Sequence, residues 1–397
     1  MRRWWLNDRV IGETQWPPGG KEGLLQGLWA LPSRGLILVP YRFASGEPYP
    51  TDKHLPGRYC RAMVVDQFQR PLRDLRISVT DKCNFRCPYC MPADVFGDDY
   101  KFSPKANVLN FEEVTRLVKL FAKAGTKKIR LTGGEPLLRK GLEVLVEELH
   151  GVEGIEDITL TTNGWLFQQH GEKLVKAGVN RITFSLDSLD DEIFKKMNGR
   201  GYSVQKVLDS ISFARELGLN PIKINAVVKR GANDGQILPL ARFAREQGLV
   251  LRYIEYMDVG NRNGWRMDDV VPADEILNAI NAEMPLEPEK PNYFGEVARR
   301  YRYKDGSGEV GVIASITKPF CGDCTRARLS TDGRIVTCLF AQDGLNLREP
   351  MRAGATDDEL FGLLTDYWGN RKDRYSELRA EGGIGDQEKI EMYQIGG

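Results

Sequence analysis

Six short runs of β-branched residues alternate with amphipathic segments between positions 74 and 257, and this alternation limits the possible folds more than any other feature. Residues 111–124, for example, place Val114, Leu117 and Phe121 on one face of a helix. Successive strand-then-helix units predict a parallel sheet with right-handed crossovers. Six units are too few for an eight-unit barrel, so we expect an α/β fold, an incomplete six-unit barrel of the TIM type. The predicted strands are 75–80, 128–132, 157–161, 181–185, 223–228 and 250–255.

The overall charge is nearly balanced, with 56 basic and 55 acidic side chains among 397 residues. Because no run of five or six like charges occurs, the sequence argues against a sequence-independent nucleic-acid binder and against a polybasic membrane anchor. The apolar stretch at 35–40 is too short to span a bilayer, and no secretory signal pattern precedes it. We therefore expect a cytoplasmic protein that contacts neither nucleic acid nor membrane.

Composition divides the chain into three regions. Residues 1–62 hold eight Gly, seven Pro and four of the seven Trp without a sustained period, which predicts an N-terminal extension of irregular structure. The alternative is upstream sequence that a start at Met63 would leave untranslated. Residues 63–257 would form the partial barrel. Residues 258–397 would form a C-terminal region, with a helix at 357–368.

The segments that directly follow the predicted strands carry the residues of chemical interest. In parallel α/β folds, functional residues lie at the carboxyl ends of the strands. Here these segments are rich in cysteine, glycine and polar residues. They are 81–90, 133–136, 162–164, 186–188 and 256–258.

Cysteine is the residue type best suited to carry metal chemistry in this chain. The three histidines, His54, His150 and His170, are scattered, whereas six of the seven cysteines fall into two tight sets. An odd number of cysteines, clustered in this way, argues against a disulfide framework and favours metal ligation. The seventh, Cys60, has no predicted role.

The first set, Cys83, Cys87 and Cys90, follows the first predicted strand. Three thiolates on one loop can hold three irons of a [4Fe–4S] cluster and leave the fourth iron without a protein ligand. An open coordination position is where a substrate or cosubstrate can bind. Structural zinc is the alternative, but it needs a fourth ligand, and the nearest histidines are remote in sequence.

The second set consists of Cys321, Cys324 and Cys338, again three thiolates. A second [4Fe–4S] cluster with an open iron is the simplest interpretation. The alternative is a zinc ribbon completed by Cys60 or an acidic residue. An Arg-x-Arg pair follows at 326–328, and its guanidinium groups would suit a carboxylate or phosphate beside the open iron.

The first set resembles the radical S-adenosylmethionine superfamily, whose hallmark is this cysteine spacing with an aromatic residue, here Tyr89, before the last cysteine. The family's glycine-rich segment is matched by Gly-Gly-Glu-Pro at 133–136, where residues without Cβ would let backbone groups approach the methionine moiety. The second set, its Thr-Arg-x-Arg and the C-terminal Gly-Gly are similar to one subfamily, the GTP 3',8-cyclases of molybdenum cofactor biosynthesis. This resemblance covers residues 63–397.

The resemblance implies specific roles for residues of this chain. The first cluster would bind S-adenosylmethionine, and the second would meet the guanine of GTP. The positions matched to S-adenosylmethionine are Tyr89, Gly134, Ser185 and Met257. The positions matched to GTP are Arg76, Arg130, Thr161, Lys223, Arg326, Ala327 and Arg328. The positions with an implied catalytic role are Arg326, Arg328, Gly396 and Gly397, the last two in a tail that reaches into the active site.

The implied reaction is that of a lyase: radical cyclisation of GTP to (8S)-3',8-cyclo-7,8-dihydroguanosine 5'-triphosphate, the first step of molybdopterin biosynthesis. An external flavodoxin- or ferredoxin-like donor would reduce the first cluster, and a 5'-deoxyadenosyl radical would take hydrogen from carbon 3' of the ribose. The cofactors, two [4Fe–4S] clusters and S-adenosylmethionine, would carry the difficult chemistry while the protein positions the reacting atoms. A cyclic pyranopterin monophosphate synthase would act next, and a homodimer is an implied assembly.

A charge argument from the residues supports a nucleotide substrate. A triphosphate needs several cations, and Arg76, Arg130 and Lys223 lie on predicted strands, where their side chains could converge inside the barrel. Taken singly, each could instead face solvent. Two other interpretations are a peptide-modifying radical enzyme, which favours more than three auxiliary cysteines, and an iron–sulfur electron carrier, which favours closed four-cysteine sites.

Overall fold

The computed structural model describes residues 63–382 and 388–397 with their side chains, and the backbone alone of two short segments near the N-terminus. These segments form strands β1 (Arg2–Leu6) and β2 (Arg9–Thr14), which pair antiparallel. The chain divides into two units, Met1–Tyr59 and Cys60–Gly397. The irregular structure expected for residues 1–62 and the surroundings of Cys60 fall largely outside the described residues, so those expectations stay predictions.

A twelve-stranded sheet organises the described part of the second unit. Its strands are β3 (Asp74–Ser78), β4 (Lys128–Thr132), β5 (Asp157–Thr162), β6 (Arg181–Ser185), β7 (Ile222–Val228), β8 (Val250–Glu255), β9 (Leu286–Glu289), β10 (Arg299–Tyr303), β11 (Glu309–Ile313), β12 (Arg326–Leu329), β13 (Arg334–Val336) and β14 (Leu345–Asn346). Their order across the sheet is β14-β13-β12-β3-β4-β5-β6-β7-β8-β11-β10-β9. The six predicted strands are β3 to β8, each with bounds within two residues of the prediction.

Two strands from the C-terminal region extend the parallel core at both edges. β12 pairs parallel with β3, and β11 pairs parallel with β8, so eight parallel strands follow one another across the described sheet. The four outer strands pair antiparallel. The sequence analysis predicted six parallel strands and missed these two, because β11 and β12 lie outside the regular strand-then-helix alternation on which that prediction rested.

Helices cover the outer face of the sheet and continue into the C-terminal region. They are α1 (Phe111–Ala124), α2 (Leu142–His150), α3 (Phe167–Ala177), α4 (Asp191–Asn198), α5 (Gln205–Glu216), α6 (Ile237–Glu246), α7 (Ala273–Glu283), α8 (Arg348–Arg352), α9 (Asp357–Gly369), α10 (Tyr375–Ala380) and α11 (Met392–Ile395). Helix α1 begins with a capping box formed by Asn110 and Glu113, which satisfies two backbone donors of its first turn. In the described residues no helix is both long and apolar enough to cross a membrane.

Alternation along the strands sorts side chains between the core and the barrel interior. On β3, Ile77 is buried in the core that α1 also enters and does not line the interior cavity, whereas the adjacent Arg76 lines it. Arg130 on β4 and Lys223 on β7 line the same cavity. The fold therefore turns a row of charged residues inward, away from the apolar layer beneath the helices.

Candidate active site

A cavity of about 410 Å³ lies inside the barrel, and residues from all eight parallel strands line it. All six clustered cysteines line it as well, together with most of the residues that the sequence analysis assigned to S-adenosylmethionine and GTP. Two assigned residues do not line it. Ala327 is fully buried in the apolar core, and of the two terminal glycines only Gly397 lines the cavity.

The first cysteine set lies on the loop after β3. The loop turns tightly at Cys87, whose carbonyl oxygen accepts hydrogen bonds from the backbone N–H groups of Cys90 and Met91 at 3.0 and 2.8 Å. Burial, together with the nearby Glu135, raises the pKa of Cys83 to about 12. Burial also raises the pKa values of Cys87 and Cys90, and the proximity of the three thiols adds to the effect. With raised pKa values the three groups stay neutral thiols on their own, so they become thiolates only beside a positive charge, which the irons of a cluster supply.

The second cysteine set joins the loop before β12 to the end of β13. Burial tends to raise the pKa of Cys324, but the guanidinium groups of Arg326 and Arg371 outweigh it and hold this pKa at about 6. Nη2 of Arg326 donates a hydrogen bond to Sγ of Cys324 at 3.1 Å. Burial raises the pKa of Cys338 to about 12. Cys324 is thus prepared to act as a thiolate ligand.

The six thiols are free and half-buried. Within residues 63–382 and 388–397, no group of three or more His, Cys, Asp or Glu side chains is arranged to hold a metal ion. The thiolates of an iron–sulfur cluster each bind a different iron, so they need not converge on one point. The donor chemistry, with two sets of three thiols that line one cavity, fits two such clusters.

The glycine-rich segment after β4 packs directly against the start of the first cysteine loop. A Cβ on Gly134 would lie 2.3 Å from the carbonyl oxygen of Lys82, so only glycine fits there. The adjacent Glu135 is 1% exposed and accepts hydrogen bonds from Oγ1 of Thr162 and from the backbone N–H of Asn163. Burial raises the pKa of Glu135 to about 7. The segment is thereby fixed beside the cysteines, with backbone groups exposed to the cavity.

Tyr89, predicted to contact S-adenosylmethionine, is held by a carboxylate that the sequence analysis did not single out. Its hydroxyl donates a hydrogen bond to Oδ2 of Asp187 at 2.8 Å, and Oδ1 of Asp187 accepts from the backbone N–H of Val227 at 2.9 Å. Burial raises the pKa of Asp187 to about 6. Ser185 and Met257 line the same cavity. Asp187 lies in a segment that follows a predicted strand, and this position was the available signal.

Three arginines lie side by side on neighbouring strands. Arg328 on β12 is in register with Arg76 on β3, and Arg76 is in register with Arg130 on β4. Burial lowers the pKa of Arg76 well below its usual value, and the neighbouring arginines lower it further. Nη1 of Arg130 donates to Oγ1 of Thr161 at 2.9 Å, which orients this guanidinium. Like charges crowded into a buried cavity favour a polyanionic ligand.

Several further cations of this site were missing from the sequence analysis, among them Lys128, Arg181 and Arg252. Lys128 and Arg252 line the cavity beside Arg130 and Lys223. Burial lowers the pKa of Lys128 to about 7, that of Lys223 to about 8 and that of Arg252 to about 9. Nε of Arg252 is buried without a hydrogen-bond partner among the described residues, and so is Nε of Arg326. Lys128 stands two residues before Arg130 on the same strand, and this period could have revealed it.

The C-terminal tail reaches the cavity. Arg328 donates a hydrogen bond to the carbonyl oxygen of Gly396, and Gly397 lines the cavity. Tyr393, which precedes them, is buried among aromatic rings and its hydroxyl is 2.6 Å from that of Tyr100. Both predicted catalytic elements of the C-terminal region, the arginine pair and the Gly-Gly tail, therefore meet at one place.

Comparison with known proteins agrees with this geometry. A family model described as the radical SAM superfamily matches residues 77–244, and one described as Molybdenum Cofactor Synthesis C matches residues 249–377. The GTP 3',8-cyclase of Staphylococcus haemolyticus (strain JCSC1435) is 48% identical over 339 residues, which are 85% of this chain and 99% of that protein. The GTP 3',8-cyclase of Staphylococcus aureus (strain JH9) is 48% identical over 337 residues, 84% and 99% of the two chains.

Solved structures show a more distant similarity. Native anSMEcpe with bound AdoMet and Cp18Cys peptide has a TM-score of 0.47 at 14% identity, covering 82% of this chain and 94% of that one. Methylornithine synthase has a TM-score of 0.44 at 17% identity, covering 53% and 62%. Because the chain is 48% identical to the curated relatives over 99% of their length, it belongs to the GTP 3',8-cyclase family of the radical S-adenosylmethionine superfamily.

Proposed function

We propose that this chain is a GTP 3',8-cyclase, which converts GTP to (8S)-3',8-cyclo-7,8-dihydroguanosine 5'-triphosphate in the first step of molybdenum cofactor biosynthesis. The observation that carries the proposal is the composition of one cavity, which is lined both by two sets of three thiols and by several half-buried cations. Near-full-length identity of 48% to curated GTP 3',8-cyclases supports it. A radical enzyme with a polyanionic substrate accounts for both the thiols and the cations that line the cavity.

Each cysteine set would hold one [4Fe–4S] cluster. Cys83, Cys87 and Cys90 would hold the first, and the second would be held by the set that ends at Cys338. When bound, the clusters and S-adenosylmethionine supply the electron and the carbon-centred radical that the cyclisation needs. The protein's own contribution is to place the ribose, the guanine and the cosubstrate in contact and to exclude water.

The half-buried cations would bind the triphosphate. The cations that line the cavity include Arg76, Arg130, Lys128, Lys223 and Arg252. Lys128 has two acidic partners, Asp74 at 3.8 Å and Asp157 at 4.0 Å, whereas the other four have no ion pair within the described residues. Hydrogen bonds between charged groups are each worth about 1.5 to 3 kcal/mol, so several of them can hold a nucleotide firmly. Thr161 would act through Arg130, whose guanidinium it orients at 2.9 Å.

Arg326, Arg328 and the tail would serve the guanine end. Arg326 contacts Cys324 of the second set, and Arg328 fixes the carbonyl oxygen of Gly396. Gly397 then projects to the cavity, where it would contact the substrate and keep water out. Ala327 would contribute only its backbone, because its side chain is fully buried in the core.

The glycine-rich segment, with Ser185 and Met257, would receive S-adenosylmethionine. Gly134 leaves room for backbone contacts where any side chain would collide with Lys82. Tyr89, fixed by Asp187, would form one wall of this subsite. These residues line the same cavity as the first cysteine set.

We propose the remaining assignments on the chemistry and the family. The reaction needs electrons from outside, which a flavodoxin- or ferredoxin-like protein would deliver, and the product would pass to a cyclic pyranopterin monophosphate synthase. A cytoplasmic homodimer is the proposed setting. We also propose a barrel over residues 63–257, a C-terminal region over 258–397 and an extension over 1–62. The family matches at 77–244 and 249–377 support the boundary between the first two.

The decisive experiment is anaerobic incubation of the reconstituted protein with GTP, S-adenosylmethionine and dithionite, followed by mass analysis. We expect 5'-deoxyadenosine and a GTP isomer of unchanged mass but altered retention. The double variant Arg326→Ala with Arg328→Ala should keep its iron and lose the isomer. Formation of 5'-deoxyadenosine without any change to GTP would favour a peptide-modifying enzyme, and its absence would favour an electron carrier.

A further inference from the structure

Four charged residues, three of them buried and one half-buried, form a cluster that contacts the backbone of the second cysteine set. They are Asp66, Arg70, Arg371 and Asp373, here named the arginine bracket. Oδ2 of Asp66 accepts hydrogen bonds from Nε of Arg70 at 2.6 Å and from Nη1 of Arg371 at 3.4 Å. Asp66, Arg70 and Arg371 are 2%, 1% and 4% exposed. Burying so many charges costs free energy, so the bracket is unlike an ordinary surface ion pair.

The arginine bracket holds the backbone of the second cysteine set. Nη1 of Arg70 donates to the carbonyl oxygen of Cys321 at 2.7 Å. Nη1 of Arg371 donates to the carbonyl oxygen of Cys324 at 2.7 Å, and its Nη2 donates to that of Thr337 at 3.2 Å. Thr337 is the residue before the third cysteine of the set. Two guanidinium groups thus bring the three cysteine peptides, from two separate segments, into a common arrangement.

The two arginines differ in one respect. All three side-chain nitrogens of Arg371 have partners, since Nε donates to Oδ2 of Asp373 at 2.8 Å. In Arg70, Nε and Nη1 have partners, but Nη2 is buried and has none among the described residues. Arg70 also lines the cavity that the second cysteine set lines. A buried charged donor left without a partner is costly, and such a group points to a ligand at this place.

We propose that Nη2 of Arg70 donates a hydrogen bond to a sulfur of the cluster held by Cys321, Cys324 and Cys338, and that it raises the reduction potential of this cluster. The inference rests on the cluster assignment in the proposed function and extends it to a residue outside the substrate contacts. Hydrogen bonds and positive charge near the sulfurs stabilise the more negative, reduced cluster. Arg371, fully occupied by protein partners, holds the ligands in place instead.

The test uses the full chain with Cys83, Cys87 and Cys90 all changed to Ala, so that only the second cluster binds iron. In this parent protein, Arg70→Met and Arg70→Lys are compared by iron and sulfide content, by the midpoint potential and by the coupling of exchangeable protons to the reduced cluster. Arg300→Met is the matched control. Nε of Arg300 is also buried without a partner in the described residues, but Arg300 does not line the cavity.

We expect Arg70→Met to retain the cluster, to shift the midpoint potential to a more negative value and to lose one strong exchangeable proton coupling. Arg70→Lys keeps the positive charge on a shorter side chain. It should therefore shift the midpoint potential by less than Arg70→Met does, and it should alter the same proton coupling. Arg300→Met should match the parent. If Arg70→Met binds too little iron to measure, the midpoint potential and the proton coupling of Arg70→Lys test the inference instead.

A parent-like potential and coupling in the loaded Arg70 variants would overturn the inference while leaving the cluster assignment intact. A parent protein without labile sulfide would overturn both. The two failures are therefore distinguishable by the iron and sulfide content of the parent alone.

Discussion

Arg328 on β12 donates a hydrogen bond to the carbonyl oxygen of Gly396, next to the last residue of the chain. The same arginine stands in register with Arg76 on the neighbouring strand. One side chain therefore connects the cations of the barrel wall with the C-terminal tail. Because of this connection, we expect a substitution in the tail, in the arginine pair or in the nucleotide subsite to disturb the other two as well.

The tail should be sensitive to any side chain at Gly396. This residue has φ +74°, and a Cβ there would lie 2.3 Å from Cγ2 of Thr132. We expect Gly396→Ala to displace the tail and to lower the rate of cyclisation at least about tenfold, a loss of about 1.4 kcal/mol in transition-state stabilisation. Gly382→Ala is the control, because Gly382 has φ +75° but no atom of the described residues within 4 Å of the added Cβ. Equal activity in the two variants would contradict the proposed role of the tail.

Iron content should divide equally between the two cysteine sets. If both sets hold [4Fe–4S] clusters, anaerobically purified protein should carry about eight iron and about eight sulfide per chain. Changing Cys83, Cys87 and Cys90 to Ala should halve both values and abolish cleavage of S-adenosylmethionine. Changing the second set should also halve them. Stoichiometric zinc without labile sulfide would disprove the cluster assignment.

Lys128 and Arg252 should prove to be nucleotide contacts. Both line the cavity, and we expect Lys128→Ala and Arg252→Ala each to raise the KM for GTP by about tenfold or more, since each loses about 1.5 to 3 kcal/mol of charged hydrogen bonding. Lys127→Ala is the matched control, because the neighbouring Lys127 is 47% exposed and pairs with Glu156 at 2.6 Å. A KM unchanged in the two cavity variants would remove them from the site.

Binding of GTP should take up protons at alkaline pH. Burial lowers the pKa of Lys128 to about 7 and that of Lys223 to about 8, so both are partly neutral at pH 8 in the free protein. A bound triphosphate favours the ammonium forms and raises both pKa values, so affinity should fall between pH 7 and pH 9. Calorimetry in buffers of different ionisation enthalpy measures the uptake directly. Lys128→Arg, which stays protonated, should reduce it, and proton release would contradict the assignment.

Residues 1–62 should be dispensable. The unit Cys60–Gly397 contains the whole described sheet from β3 onward and every proposed cluster, cosubstrate and nucleotide residue. We expect the chain that begins at Met63 to match the full-length protein in melting temperature and cyclase activity. The competing idea is that the four tryptophans of the extension stabilise the fold, since each can bury roughly 150 to 250 Å². Insolubility or a large loss of both properties in the shorter chain would support that idea.

Local patterns in the sequence determined much of this protein. The strands β3 to β8 and the helices α1 and α9 follow from periodicity, because a strand or helix that covers an apolar core must repeat its apolar residues at a fixed spacing. The first cysteine set is equally local, since a cluster held by one loop requires closely spaced ligands, and the second set lies within 18 positions, from Cys321 to Cys338. For this reason the chemistry of the site could be predicted before its geometry.

Only the tertiary structure decided which residues far apart in the chain contact each other. The parallel pairing of β12 with β3 and of β11 with β8 joins segments far apart in the chain, and it places Arg328 beside Arg76. The hydrogen bond from Arg70 to the carbonyl of Cys321 spans 251 positions. In the sequence, nothing distinguishes Lys128, Asp187 and Arg252 from other polar residues. Only the folded structure places them at the cavity. Contacts of this kind depend on the packing of the whole core, so no short stretch of sequence contains them.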